Sequence, residues 1–179
     1  MPWHLQQVSE LILKQTEALT FHTLIDCTAH IGCDTILFRK LFSHLSIFAI
    51  EYDKTCYDLL NQNIDKLPMI LNKPNVVPIV TLHLDCIDYL NTQPDLKGQM
   101  VYFDPPWGQD YKNNKVMELY LSTQPLTTIV TDVLIKQPTL IIVKLPTNYD
   151  FSLWKNIKYQ LYPIYTPSNK VSYLLAFTK

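Results

Sequence analysis

The stretch VYFDPPWGQDY, Val101 to Tyr111, runs an apolar segment straight into a carboxylate, two prolines and an indole. Proline fixes its own φ and restricts the residue before it, so the backbone at Asp104 and Pro105 is set in advance. A carboxylate oxygen and a backbone carbonyl are both acceptors. Held at such a corner, they can take the two N–H bonds of an exocyclic amine on a flat ring. That aims the nitrogen at an electrophilic carbon and favours the pyramidal geometry of attack. Trp107 adds a face for base stacking, worth about 1–3 kcal/mol. A surface turn with a partly buried indole is the bland alternative. Its weakness is the position of the motif, directly after a strand-like apolar run.

A second acid points to the electrophile. Glu51 lies nineteen positions after Gly32. In nucleotide-binding α/β domains an acid about 20 residues past the glycine turn accepts hydrogen bonds from ribose hydroxyls. The glycine turn itself is poor. The chain has three glycines and no GxGxxG, which disfavours a pyrophosphate that needs several close backbone N–H groups. S-adenosylmethionine has ribose and adenine but no phosphate. DCTAHIGCD offers Asp26 for its ammonium group, and the small Ala29 and Gly32 leave room. Acids after strands also cap helices, and Asp34, Asp53 and Asp85 each carry that second reading. His22, His30, His44 and His83 form no metal-ligand pattern, so no metal is expected. Methyl transfer to an amine needs none. No P-loop and no GxSxG turn are present.

These residues must be held by a framework, and helical and strand-like patterns alternate along the chain. A helix is expected from about Leu5, on the spacing of Val8, Leu11 and Ile12. TLIDCTA reads as a buried strand, DTILFRKLF as a helix, SIFAIEYD as a strand, and TCYDLLNQNIDKL as a helix closed by Pro68. VVPIVTLHLD and MVYFD read as strands, with a short helix over Ile87 to Leu90 between them. Met117 to Ile135 reads as a helix broken near Pro125, and TLIIVKLP as a fifth strand. NIKYQLYPIY and VSYLLAFTK have period two and flank the turn-like TPSNK, as an antiparallel hairpin does. The sum is a mostly parallel sheet with helices on both faces and an antiparallel hairpin at one edge. Ligands in such sheets bind beyond the carboxyl ends of the strands. The first four strands there meet Asp26, Glu51, Asp85 and Asp104.

With 179 residues, 47% of them hydrophobic and 17% charged, the chain reads as one ordered domain, 1–179, with 1–20 as its helical N-terminal segment. A net charge of -1 excludes a strong, sequence-independent electrostatic grip on nucleic acid. No apolar run has the length of a membrane span, and MPWHLQQVSELILKQ lacks the build of a signal peptide. Cys27, Cys33, Cys56 and Cys86 show neither CxxC nor paired spacing, which reads as a thiol-reducing setting, cytoplasmic or nuclear.

DPPW resembles the (D/N/S)PP(Y/F/W) signature of S-adenosylmethionine-dependent amino-methyltransferases of nucleic acids. DCTAHIGCDTILF, FDPPWGQDY, KLPTN and SNKVSYLLAF are similar, in order and spacing, to blocks of the trimethylguanosine synthases, over most of the chain from Ile25 onward. Those enzymes methylate the N2 amine of a 7-methylguanosine cap. The resemblance implies a Rossmann-like class I methyltransferase fold with a seven-stranded sheet. It implies a monomer that acts on capped RNA or another nucleic acid, with a protein partner as a source of basic surface. Carried over by position, Asp26, Ala29, Gly32 and Thr35 would line the donor's methionine end. Glu51 with Tyr52 would hold the ribose, and Asp85 with Cys86 would lie by the adenine. Asp104 and Pro105 would face the target amine. Trp107 would stack on the guanine, whose positive charge adds a cation–π gain of about 0.5–2 kcal/mol. Tyr111 would reach the cap phosphates, with Asn148 on the substrate side.

The chain departs from that pattern. His30 and Cys33 stand where glycines are usual, and Asp104 stands where the cap enzymes have serine. Thr147 replaces a phosphate-binding arginine, for which Lys144, Lys170 or Lys112 would substitute. Trp3 is the candidate for a second wall of the substrate site. Two other readings stay open: an adenine-N6 methyltransferase, and a degenerate domain that binds RNA or a protein without catalysis.

Overall fold

The computed structural model describes residues 3–16, 19–68, 77–108, 115, 118–165 and 170–178. Helix α1 (Trp3–Thr16) leads into β1 (Thr23–Asp26), α2 (Cys33–Leu41), β2 (Ser46–Glu51), α3 (Lys54–Asp65) and β3 (Ile79–His83). Helix α4 (Cys86–Thr92), β4 (Gln99–Phe103), β5 (Tyr120–Leu121), β6 (Gln124–Pro125), α5 (Leu126–Ile135) and β7 (Leu140–Leu145) follow. A 3-10 turn (Phe151–Trp154), β8 (Gln160–Tyr165) and β9 (Lys170–Thr178) close the described chain.

Seven strands form one sheet in the order β3-β2-β1-β4-β7-β9-β8. Pairings are parallel up to β7, and β9 runs antiparallel to both β7 and β8. The central strands are buried on both faces, which is why they read as continuous apolar runs. One face packs Leu24, Tyr102 and Ile142 with Ile12 of α1 and Phe38 of α2. The other packs Val101, Phe103 and Ile141 with α4, α5 and Trp154. Helices therefore cover both faces, as the alternating pattern implies.

Local chemistry sets the connections. Arg39 is buried and donates to the carbonyls of Phe42 (3.0 Å), Ser43 (3.1 Å) and Leu45 (2.8 Å), closing α2 and delivering the chain to β2. The edge strand β8 is tied to α1 by Gln7, whose amide donates to the Tyr165 carbonyl and accepts from its N–H, each at 2.8 Å.

One expectation is overturned. Met117 to Ile135 is not a single broken helix. Residues 120–125 form the small antiparallel pair β5–β6, and α5 starts only at Leu126. Ser122 makes the turn at φ 54, and Pro125 at the helix cap keeps the residue before it extended. Met117 lies outside the described residues. Smaller differences concern ends. Helix α1 starts at Trp3 rather than Leu5, β3 starts after Pro78, and the short fourth helix extends to Cys86–Thr92.

Candidate active site

A cavity of about 860 Å³ opens beyond the carboxyl ends of β1, β2 and β4. Ala29, Glu51, Tyr52, Asp85 and Cys86 line it, and so do Asp104, Pro105 and Trp107. Five of the expected donor-side residues thus share one chamber with the DPPW corner. All four cysteines, Cys27, Cys33, Cys56 and Cys86, also face it. Cys27 and Cys86 are buried, and burial first, then a hydrogen bond with Cys86, pushes the Cys27 thiol well above its ordinary range.

Glu51 joins two loops. One oxygen accepts the Asp53 N–H at 2.7 Å, and the other accepts the His30 N–H at 2.8 Å. Each oxygen keeps a second lone pair, so the carboxylate is oriented and can still accept from a diol. His30, where the resembling family has glycine, takes φ 49. The left-handed turn is therefore kept without glycine, at a cost of about 1 kcal/mol. Gly32 at φ 91 is different, because a Cβ there would meet Leu60 Cδ1 at 2.7 Å. The absence of a Cβ lets Leu60 of α3 pack against the loop.

Asp26, Gly32 and Thr35 do not line the cavity. The resemblance implies that they line the donor's methionine end; here they stand behind the cavity wall. Strand alternation turns Asp26 toward α2, where it is fully buried and accepts from Thr35 Oγ1 at 2.5 Å and from the Thr28 N–H at 3.3 Å. Burial is the main cause that pushes its carboxyl up to about 7. The pair acts from below. Thr28, held by Asp26, accepts the Asp104 N–H on its hydroxyl at 2.7 Å. The donor loop and the DPPW corner are thereby fastened together.

Lys144 lines the cavity as part of an ion-pair network. It does not stand free for phosphate. Strands β4 and β7 pair Phe103 with Val143, so the next pair in that register is Asp104 with Lys144. The ammonium lies 2.6 Å from Asp104 Oδ2 and 3.4 Å from Asp34 Oδ2. Burial alone would lower the Lys144 pKa, but attraction to Asp104 and then Asp34 outweighs it and holds the ammonium above its ordinary range. Asp104 is raised, by burial first, with Lys144 opposing. Tyr102 donates to Asp34 Oδ2 at 2.7 Å. Asp34 is therefore a cavity residue and an ion-pair partner, with Gly32 rather than an acid at the α2 cap.

Asp85 and Asp53 do cap helices, accepting from the N–H groups of Ile87 and Cys56, each at 2.8 Å. The other oxygen of Asp85 accepts from the Ser122 hydroxyl, which draws the β5–β6 turn over this end of the cavity. Tyr120 and Ser122 were not foreseen as lining residues. Glu118 steadies that turn, accepting from Thr127 Oγ1 at 2.5 Å and from the Tyr149 hydroxyl at 3.2 Å. Trp107 is half-buried, lining the cavity while packing against the core. Thr147 and Asn148 lie in the turn after β7, away from the cavity wall. Trp3 opens α1 and Lys170 opens β9, but their side chains are outside the described set, as are Tyr111 and Lys112 altogether.

Among the described residues, no group of three or more His, Cys, Asp or Glu could hold a metal ion. None of the described helices is long and apolar enough to cross a membrane.

No family model matches the chain. Uncharacterized protein L320 of Acanthamoeba polyphaga mimivirus is 31% identical over 130 residues, which are 72% of this chain and 47% of that protein. The chain thus spans about half the length of the curated relative it matches. Among solved structures, the N-terminal domain of human METTL16 superposes with a TM-score of 0.64 at 14% identity, over 96% of this chain and 67% of that one. An rRNA methylase from Streptococcus thermophilus gives 0.61 at 10% identity, over 97% and 94%. Sheet order, edge hairpin and these likenesses agree: the chain has the Rossmann-like class I methyltransferase fold.

Proposed function

We propose that the protein is an S-adenosylmethionine-dependent methyltransferase acting on an exocyclic amine of a nucleic-acid base. Within that class, the sequence resemblance favours transfer to N2 of a 7-methylguanosine cap. The observation that carries the general reading is the shared chamber. Asp104 and Pro105 of the DPPW corner face the same space as Glu51 and Asp85, at the strand ends where this fold binds ligands. The residues also suit the donor's charge. Five carboxylates line the cavity, Asp34, Glu51, Asp53, Asp85 and Asp104, against Lys144 and His30. That surplus favours a molecule bearing a sulfonium and an ammonium group.

The donor supplies an electrophilic methyl carbon. The chain's own residues supply position and charge. Glu51 takes the ribose hydroxyls. Asp104 and the Pro105 carbonyl hold the amine by its two N–H bonds and point its lone pair inward. Trp107 stacks on the ring, and a cationic ring gains more from an indole than a neutral one. Asp104 is available to take the proton that the amine loses after transfer.

The adenine-N6 reading is favoured by one observation: Lys144 is committed to Asp104 and Asp34 and so is not offered to cap phosphates. The degenerate-domain reading rested on the glycine-poor loop, and His30 at φ 49 supports a loop that keeps its turn. The test is incubation with labelled donor and a panel of capped and uncapped RNAs, followed by nucleoside analysis. Label in dimethylated or trimethylated guanosine supports the cap reading, and label in N6-methyladenosine replaces it. Absence of both transfer and donor binding would leave the degenerate domain.

A further inference from the structure

Lys144 was considered above only as a possible phosphate ligand. Its place in the cavity wall, on the same face as Asp104, gives it another role. Asp104 Oδ2 is taken by the ammonium at 2.6 Å, and no described residue donates to Oδ1. The ammonium carries three N–H bonds. Two are accounted for by Asp104 and Asp34. The wall therefore shows an acceptor, Asp104 Oδ1, beside a donor, Lys144 Nζ, on neighbouring strands.

We infer that Asp104 and Lys144 together read two adjacent atoms of the substrate ring, the amine to be methylated and an unprotonated ring nitrogen next to it. This rests on the methyltransferase reading and deepens it by naming the two ring positions that the wall recognises. Adenine offers N6 beside N1, cytosine N4 beside N3, and guanine N2 beside N3. An amine flanked only by carbon or by a protonated nitrogen leaves a buried ammonium bond unmet and is disfavoured. Lys144 is a specificity-determining residue, and it orients Asp104 by holding one oxygen. The ammonium stays charged throughout and takes no proton, since two carboxylates hold it in that form.

The test compares natural rings with analogues in which that nitrogen is replaced by C–H. The probes are a short single-stranded RNA with adenine or 1-deazaadenine, and a 7-methylguanosine-capped dinucleotide or its 3-deaza form. Whichever natural probe is methylated should react at least tenfold faster than its deaza partner with the wild type. Lys144→Met should bring that ratio close to one, while affinity for S-adenosylhomocysteine stays within a few-fold. A deaza effect intrinsic to the ring would persist in Lys144→Met, and that result overturns the inference, as does equal reaction of both rings with the wild type. If Lys144→Met does not fold, the charge-balanced pair Asp34→Asn with Lys144→Met carries the same comparison and leaves Asp104 in place. Failure of the parent reading looks different: the wild type then binds no S-adenosylhomocysteine and methylates neither ring.

Discussion

Asp26 should make the protein less stable as pH rises, and Asp26→Asn should remove that dependence. The carboxyl is fully buried, its pKa stands at about 7 against an ordinary value of 3.8, and burial is the leading cause. Between those two values the folded chain holds a proton that the unfolded chain has released. Stability from this group is therefore complete below about pH 4, declines through the interval and levels off above about 7. At roughly 1.4 kcal/mol per pH unit, the interval amounts to ~4 kcal/mol as an upper figure. Asparagine fits the same place. Its oxygen can accept the Thr28 N–H, and its amide can donate to the Thr35 hydroxyl, which accepts as readily as it donates. Urea unfolding at pH 4, 6 and 8 measures the effect. With a slope of about 1–3 kcal/mol per molar urea, the variant's midpoint should exceed the wild type's by about one molar or more at pH 8. The advantage should shrink to nothing or reverse at pH 4. A difference that does not change from pH 4 to pH 8 would refute the reasoning. It would mean that the hydrogen bonds from Thr35 and Thr28 keep Asp26 ionised in spite of burial.

Glu51→Ala should weaken S-adenosylhomocysteine binding at least tenfold by calorimetry, since a charge-assisted hydrogen bond is worth about 1.5–3 kcal/mol. It also frees the His30 and Asp53 N–H groups, so Glu51→Gln, which keeps one acceptor, should lose less. Trp107→Ala should abolish the preference for a methylated over an unmethylated cap analogue, and Trp107→Phe should retain part of it; fluorescence quenching by the two analogues measures this. Arg39→Met leaves the buried carbonyls of Phe42 and Leu45 and the more exposed one of Ser43 without their donor and should cost about 2–3 kcal/mol in urea unfolding, while donor affinity is little changed in the folded fraction.

The acids at strand ends were legible because two simple rules overlap. Short apolar runs alternating with helical patterns imply a parallel sheet, and such sheets bind at their carboxyl ends, which singles out Glu51, Asp85 and Asp104. Alternation also held what was missed. Asp26 lies two residues past Leu24, on the face that packs against α2, so its burial follows from parity. Lys144, expected as a phosphate ligand, follows Ile142 on the same face as Tyr102 and Asp104. What sequence does not contain is the register between β4 and β7, forty residues apart at the ion pair. The β5–β6 turn was hidden for another reason. Strands of two residues show no period, and the apolar run after Pro125 drew the helix forward.

The charge pattern and the Asp104–Lys144 pair together limit how a guanine can enter. N2 of guanine has N1–H on one side and N3 on the other. Lys144 offers only donors, so the N1–H side would set two donors against each other beside a buried ammonium. Guanine must then present N3 to Lys144, with its six-membered ring edge toward β7. Adenine has no such choice to make, because carbon flanks N6 on the other side. A positive charge on the ring favours guanine again. A 7-methylguanine enters a cavity whose carboxylates outnumber its cations and meets an indole, while a neutral adenine gains from the indole alone. Geometry is thus more permissive toward adenine, and electrostatics toward the methylated cap. Salt separates the two contributions. If charge decides, raising ionic strength should narrow the advantage of the methylated over the unmethylated cap analogue and leave binding of adenosine, which carries no charge, little affected. If the advantage is unchanged by salt, contact with the indole face sets the preference and the carboxylates do not.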